Sequence, residues 1–361
     1  MTPPTRDELE ARLFYPLGDR LPEPGRCVEV APGVKWIRMA LPFALDHINL
    51  WLLRDQLDGR EGWTVVDTCI AHDQSRAQWE QIFGQELQGL PILRVLVTHM
   101  HPDHIGLAKW LCEWWSTPDQ PCHLWCSATD YNSARIGSQS TTGFGGEGAA
   151  AFFRSHGLSD PDALEKIRGR ASYYPSLVPG VPRQFRRLMD HQTLAIGGHL
   201  WRCIAGYGHA PEHMAFWCES LGVLISGDMV LPRISTNVSV YDVEPESDPL
   251  DLFLQSLRRY EPLPADTLVL PSHGKPFRGL NERLAQLHDH HADRLSEVLQ
   301  ACTDKACSAT DVIPVLFQRP LDLHQSTFAM GEAVAHLHRL WFGGELRRER
   351  DADGIWRFRA N

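Results

Sequence analysis

A chain of 361 residues, 43% of them hydrophobic, is long enough for one large domain or for a large domain plus a small one. Its net charge of −10 opposes a chain-wide affinity for nucleic acid or anionic membranes, and no run of ~18 apolar residues is present to span a bilayer. The opening MTPPTRDELEARLF has acids and prolines where a secretion signal needs a basic start. The nine cysteines fit no disulfide framework, so the expectation is a cytoplasmic protein with reduced thiols.

In chain order, residues 26–70 alternate turns with short apolar runs (CVEVAPGVKWIRMAL, INLWLLRD, GWTVVDTCI), which predicts adjacent β-strands. Residues 73–88 predict a helix with Trp79, Ile82, Phe83 and Leu87 on one face. ILRVLVTH reads as a buried strand, HIGLAKWLCEWW as the helix behind it, and HLWCSATD as a further strand. Cys122 and Cys126 are taken as packing residues, because no second Cys or His pair follows at zinc-site spacing. From about 128 to 190 a Gly-rich stretch and amphipathic pieces predict an inserted helical lid. Strand texture returns at 193–230 and at DTLVLPSHG. From about 279 a long helix, a helix opened by SATD, a further helix and a hairpin at Asp353-Gly354 follow, which is winged-helix order. His288 and His291 share a face of the long helix and read as a solvated surface rather than a metal site.

The chemistry concentrates in VLVTHMHPDHIG, residues 95–106. His99, His101, Asp103 and His104 crowd into six positions just behind an apolar run. Imidazole and carboxylate suit Zn(II), Fe(II) or Mn(II). Four ligands are more than one small ion usually takes from a single loop, so two ions sharing the loop is the natural arrangement. Asp67, His209, Asp228 and His273 each follow an apolar run beside a Gly, Ser or Thr turn and offer the remaining ligands.

This ordered set resembles the metallo-β-lactamase superfamily over roughly residues 27–278. The resemblance implies an α/β fold, an αββα sandwich, here with a helical insertion (about 128–190) in a domain of residues 1–278 and a winged-helix-like domain of residues 279–361. It implies that His99, His101 and His209 bind one divalent metal, that Asp103, His104 and His273 bind a second, and that Asp228 bridges them. Asp67 would hold the His loop through hydrogen bonds, and His213 of GHAPEH would orient a ligand or substrate. Zinc is the first choice of metal, with iron or manganese as alternatives. The all-Asp/His set looks like the glyoxalase II and ribonuclease branches, and the C-terminal segment resembles the LACTB2-like branch. An antibiotic-hydrolysing role is not expected.

The implied activity is that of a binuclear hydrolase using a metal-bridging hydroxide, with Asp103 or Asp228 accepting the proton. Acyl thioesters or related esters are the first substrate expectation. Alternatives are an endoribonuclease, a lactonase and an iron-dependent thiol persulfide oxygenase. Residues 280–361 carry 10 basic and 12 acidic residues, which disfavours nucleic acid. That segment reads as a packing, dimerising or pocket-closing element, so a homodimer lies within the expectation. Arg347, Arg348 and Arg350 read as a solvated hairpin edge. The lid offers Phe144, Phe152, Phe153, Tyr173 and Tyr174 for an apolar channel or for its own core, with Tyr173 and Tyr174 as candidate substrate contacts. Arg154, Arg168, Arg170, Arg183, Arg186 and Arg187, with Arg233 after Asp228, are candidates to meet an anionic group on a small-molecule or acyl-carrier substrate.

Overall fold

The computed structural model of the chain describes residues 5–140, 145–170, 172–318, 320, 321 and 323–361. Among these, seven strands in chain order make the first sheet: β1 (Val28–Ala31), β2 (Val34–Ala40), β3 (His47–Leu57), β4 (Arg60–Val66), β5 (Ile92–Leu96), β6 (His123–Cys126) and β7 (Phe185–Arg187). The pairs from β1 to β4 are antiparallel and those from β4 to β7 parallel. The second sheet holds β8 (Thr193–Ile196), β9 (His199–Gly206), β10 (His213–Cys218), β11 (Val223–Gly227) and β12 (Leu268–Pro271), with only β11 and β12 parallel. β13 (Leu346–Arg350) and β14 (Trp356–Ala360) form the terminal hairpin. The helices are α1 (Arg6–Glu10), α2 (Asp73–Gln85), α3 (Pro102–Ile105), α4 (Ala108–Trp115), α5 (Ala128–Gly137), α6 (Gly146–Ser155), α7 (Pro161–Arg168), α8 (Tyr173–Leu177), α9 (Pro249–Arg258), α10 (Leu280–Asp304), α11 (Ala309–Leu316) and α12 (Leu323–Phe342).

The layering follows from side-chain alternation. Along β3, Ile48, Leu50 and Leu52 face outward onto α2 and α4, while Trp51 and Leu53 face the second sheet. A strand buried on both faces must be apolar on both, which is why INLWLL is nearly unbroken. Trp36, Trp51 and Leu96 of the first sheet meet Trp201, Phe216 and Leu270 of the second in one cluster between them. The outer face of the second sheet packs on α9 and the C-terminal helices. The order is helix layer, sheet, sheet, helix layer. Arg94 of β5 joins the sheets: it is buried, donates to the Asp55 carboxylate at 2.8 Å, and donates to the Ala195 carbonyl of β8 at 2.6 Å.

The insertion between β6 and β7 is helical as expected, but it is shorter than 128–190, because Phe185–Arg187 pairs with β6 and returns the chain to the first sheet. Phe152 and Phe153 do not line the metal-site cavity; with Leu164 and Ile167 they join the apolar cluster on the outer face of the second sheet. Phe144 lies outside the described residues.

The three helices and hairpin of the C-terminal segment are present. One apolar cluster runs from Ile204 and Leu224 of the second sheet through Phe253 to Val298, Val334 and Phe358. The expected solvated histidine face is instead partly interior. His291 is fully buried, with its ring 5.6 Å from that of buried His336, because that side of α10 turns toward α9 and α12. Arg348 is likewise not at a solvated edge: it lies between the rings of Trp341 and Trp356 at 3.8 and 4.1 Å and donates to Glu246. Among the described residues no helix is long and apolar enough to cross a membrane.

Candidate metal centre

The parallel pairs β4/β5 and β11/β12 bring the C-terminal ends of these strands to one edge of the sandwich. Asp67 follows β4, His99–His104 follow β5, Asp228 follows β11 and His273 follows β12, while His209 lies in the β9–β10 connection. A four-residue helix, α3, begins right after His101 with Pro102 in its first turn, and so separates Asp103 and His104 from His99 and His101. Gly227 permits the last approach: at φ 55° it stands where an added Cβ would lie 2.1 Å from His213 Nε2.

The sequence-predicted ligands converge. His99 Nε2 lies 2.8 Å from His101 Nδ1, and His209 Nε2 lies 3.1 Å from each of them. Tetrahedral zinc with Zn–N near 2.0–2.1 Å needs ligand separations of about 3.3 Å, and this triangle is slightly tighter than that. Beside it, Asp103 Oδ2 lies 3.5 Å from His104 Nε2 and 3.4 Å from His273 Nε2. Asp228 stands between the two groups. Its Oδ2 is 3.3 Å from His209 Nε2, and its Oδ1 is 3.5 Å from both His104 and His273. The sets His99/His101/His209, His99/His104/Asp228 and Asp103/His104/His273 could each hold a metal ion.

Two further observations test the fit. His104 Nε2 and Asp228 Oδ1 are buried without a hydrogen-bond partner, a costly arrangement that a cation between them relieves. The far nitrogens of His104, His209 and His273 are also engaged. His104 Nδ1 donates to Asp67 at 2.8 Å, His209 Nδ1 to the Asn237 carbonyl at 2.7 Å, and His273 Nδ1 to the His47 carbonyl at 2.7 Å. These three rings thereby turn Nε2 toward the site, the arrangement metal-ligating histidines use, while His101 presents Nδ1.

The electrostatics divide along the same line. Burial, reinforced by neighbouring histidines, lowers His99 well below the ordinary imidazole value and His101 to about 3, so both are neutral. For His104 burial works against the charged ring, but Asp103, Asp67 and Asp228 outweigh it and raise the pKa to about 9. His273 rises to about 10 against the same burial cost, through Asp228 and Asp103. Asp103 falls to about 2, because His104 and His273 outweigh its burial. The carboxylates thus call for positive charge in this half of the site.

Asp67 ties the start of the His loop to His104. At φ 61° its carboxylate accepts from Thr98 N, Thr98 Oγ1 and His104 Nδ1, all at 2.8 Å. His213 does not face the cavity; its Nε2 accepts from the Asp228 backbone N–H at 3.2 Å and so braces that loop. Tyr173 lines the cavity over the site. Tyr174, expected beside it, is instead buried and donates its hydroxyl to the Met100 carbonyl, because its helix turns it inward. Arg233 lies outside the cavity lining, half-exposed and paired with Asp7 and Glu10 of α1. None of the lid arginines lines the cavity: Arg168 pairs with Glu147 and Glu165, and Arg186 lies over Trp125.

Sequence reasoning did not identify Asp130, His47 or Asn237. Buried Asp130 accepts from Met100 N and Glu212 N, both at 2.7 Å, and so ties the His loop to the His209 loop; burial raises its pKa to about 6. Its spacing from Ser127 signals a helix start, and nothing local signals partners 30 and 82 residues away. His47 Nε2 accepts from Gly274 N at 2.7 Å, bracing the loop after β12.

The family model of the metallo-beta-lactamase superfamily matches residues 44–273, and that of the metallo-beta-lactamase-like C-terminal domain matches residues 295–361. A beta-lactamase domain protein from Burkholderia ambifaria is 55% identical in sequence and superposes with a TM-score of 0.92, covering 98% of this chain and 99% of that one. A probable metallo-hydrolase of Bacillus subtilis is 25% identical over 313 residues, 83% of this chain and 90% of the other. An atrochrysone carboxyl ACP thioesterase of Aspergillus fumigatus is 24% identical over 275 residues, 72% of this chain and 68% of the other. With its layered sheets, its converged His/Asp cluster and these matches, the chain belongs to the metallo-beta-lactamase superfamily, a superfamily of metallo-hydrolases.

Proposed function

We propose that the protein hydrolyses acyl thioesters or related esters at a two-metal centre, zinc being the first expectation. The observation that carries this reading is a cavity of about 440 Å³ whose floor holds His101, Asp103, His209, Asp228 and His273, and whose walls include Leu41, Phe43, Leu45, Leu177, Ile234 and Phe328. Such walls suit an acyl chain. Among the described residues no Lys or Arg lines the cavity, so a polyanionic strand finds no electrostatic partner there. A thioesterase among the relatives supports the same choice.

Divalent ions held by His99, His101 and His209 and by Asp103, His104 and His273, with Asp228 between them, would lower the pKa of water and polarise the substrate carbonyl. Asp228 directs both oxygens at ring nitrogens and serves as the holding group. Asp103 is more exposed, 19% against 10%, and faces the cavity. We assign it the proton: it accepts one as water adds to the carbonyl carbon. It returns that proton to the sulfur when the C–S bond breaks. The apolar walls hold the acyl chain and exclude bulk water.

The test is metal analysis with turnover on the same sample, using acyl-coenzyme A and simple acyl thioesters of increasing chain length, a lactone and single-stranded RNA. Two equivalents of metal, chelator-sensitive thioester cleavage and inert RNA are expected. A metal-loaded protein that leaves thioesters and esters intact would overturn the reading.

A further inference from the structure

The expected C-terminal segment, residues 279–361, reaches the metal centre through one hydrogen-bonded chain. His209 Nδ1 donates to the backbone carbonyl of Asn237 at 2.7 Å. The Asn237 side chain is held at both ends: its Nδ2 donates to Glu332 Oε2 at 3.2 Å, and its Oδ1 accepts from Ser239 Oγ at 2.8 Å. Glu332 belongs to α12, 95 residues away in sequence. The helix and the loop are as close as a glycine allows. The Val240 N–H donates to the Gly331 carbonyl at 3.1 Å, and a Cβ on Gly331 would lie 2.7 Å from Ser239 Oγ. The same helix adds Gln325 and Phe328 to the cavity wall next to Asn237 and Thr236.

A histidine ligand is aimed by whatever its far nitrogen donates to. For His104 that group is a side chain from its own half of the sandwich. For His209 it is a backbone carbonyl on a loop without regular secondary structure between β11 and α9, and such a carbonyl is only as well placed as the loop. The loop is pinned by Glu332. Glu332 does not itself line the cavity: it is partly buried, and burial pushes its pKa up to about 7 against the help of the Asn237 amide.

We infer that Glu332 is a positioning residue of the first metal site, acting through Asn237 to fix the carbonyl that orients His209, so that α12 is a working part of the metal centre. This rests on the reading of His209 as a ligand of the first metal.

The experiment is Zn(II) titration of the metal-free full-length protein against a chromophoric chelator, with the visible spectrum of the Co(II)-loaded form, for wild type, Glu332→Ala, Glu332→Gln and Asn237→Ala. Loss of such a supporting contact typically weakens metal binding 10–100-fold. Glu332→Ala and Asn237→Ala are therefore expected to raise the Kd of one of the two sites about tenfold or more, to leave the other within about threefold, and to change the Co(II) spectrum. Glu332→Gln keeps an oxygen that can accept from Asn237 and is expected to return to near wild-type affinity. A purely structural role would lower the melting temperature and shift both sites together. Should Glu332→Ala fail to fold, Asn237→Ala breaks the same contact without touching α12 and carries the test alone. Unchanged affinities in folded variants would overturn the inference while leaving the hydrolase reading standing. A wild-type protein that takes up no metal would overturn both.

Discussion

His104 is held from both sides. Asp67 accepts a hydrogen bond from its Nδ1, and its Nε2 points into the charged half of the centre. Replacing Asp67 with Asn leaves the shape but offers an amide where a carboxylate oxygen accepted from Thr98 and His104. The ring then loses its enforced tautomer. We expect Asp67→Asn to weaken metal affinity and turnover by about 10–100-fold, as measured by chelator competition and thioester cleavage, with secondary structure retained. Asp228 makes a stronger claim, because its two oxygens address both groups of histidines. Asp228→Ala should reduce bound metal below two equivalents and turnover by at least about 100-fold. Elemental analysis and single-turnover assays would show it, and full occupancy with near-normal turnover would refute the bridging role.

Elements carry histidines of a different kind. His156 after α6, His291 on α10, and His336 and His338 on α12 are buried, and burial first of all lowers their pKa values to about 4, 2, 4 and 4. Each folded-state value lies below the unfolded value near 6.5, so the unfolded chain binds more protons as pH falls. Their stability contribution is complete above about pH 6.5 and is lost on acidification toward pH 4. Each ring contributes on the order of 2–3 kcal/mol to that loss. Urea unfolding of the metal-free protein at pH 7.5, 6 and 5 should show a falling midpoint, and His291→Leu should flatten the slope. Element reading also shows where local pattern suffices. Strands β3, β5 and β12 were legible because strand burial alternates or fills over a few residues, and His99–His104 were legible because ligands crowd behind such a strand. Which side of α10 faces inward was not legible, since a helix with both polar and apolar flanks takes its orientation from what packs on it.

At the scale of the whole molecule, the two sheets must hold their ligand-bearing edges in register, and the buried Arg94–Asp55 pair bridges them by way of the Ala195 carbonyl. Removing one partner of a buried pair strands the other charge. Arg94→Leu should therefore cost about 3–5 kcal/mol in chemical unfolding, and an unchanged midpoint would deny the pair its role. The sequence alone showed the apolar strand runs and the His/Asp residues crowded behind them, local properties readable over ten residues, and the resemblance those motifs carry implied the sandwich. Only the tertiary structure decided which groups orient those side chains. Asn237, His47, Asp130 and Glu332 meet their partners across 28 to 227 residues. Folding likewise decided that Arg233 answers Asp7 and Glu10 instead of substrate, and that Tyr173 faces the cavity while Tyr174 turns inward. The physical reason is the same in each case: a hydrogen bond or ion pair is settled by distance in space, and distance in space between remote segments is set by how the layers pack.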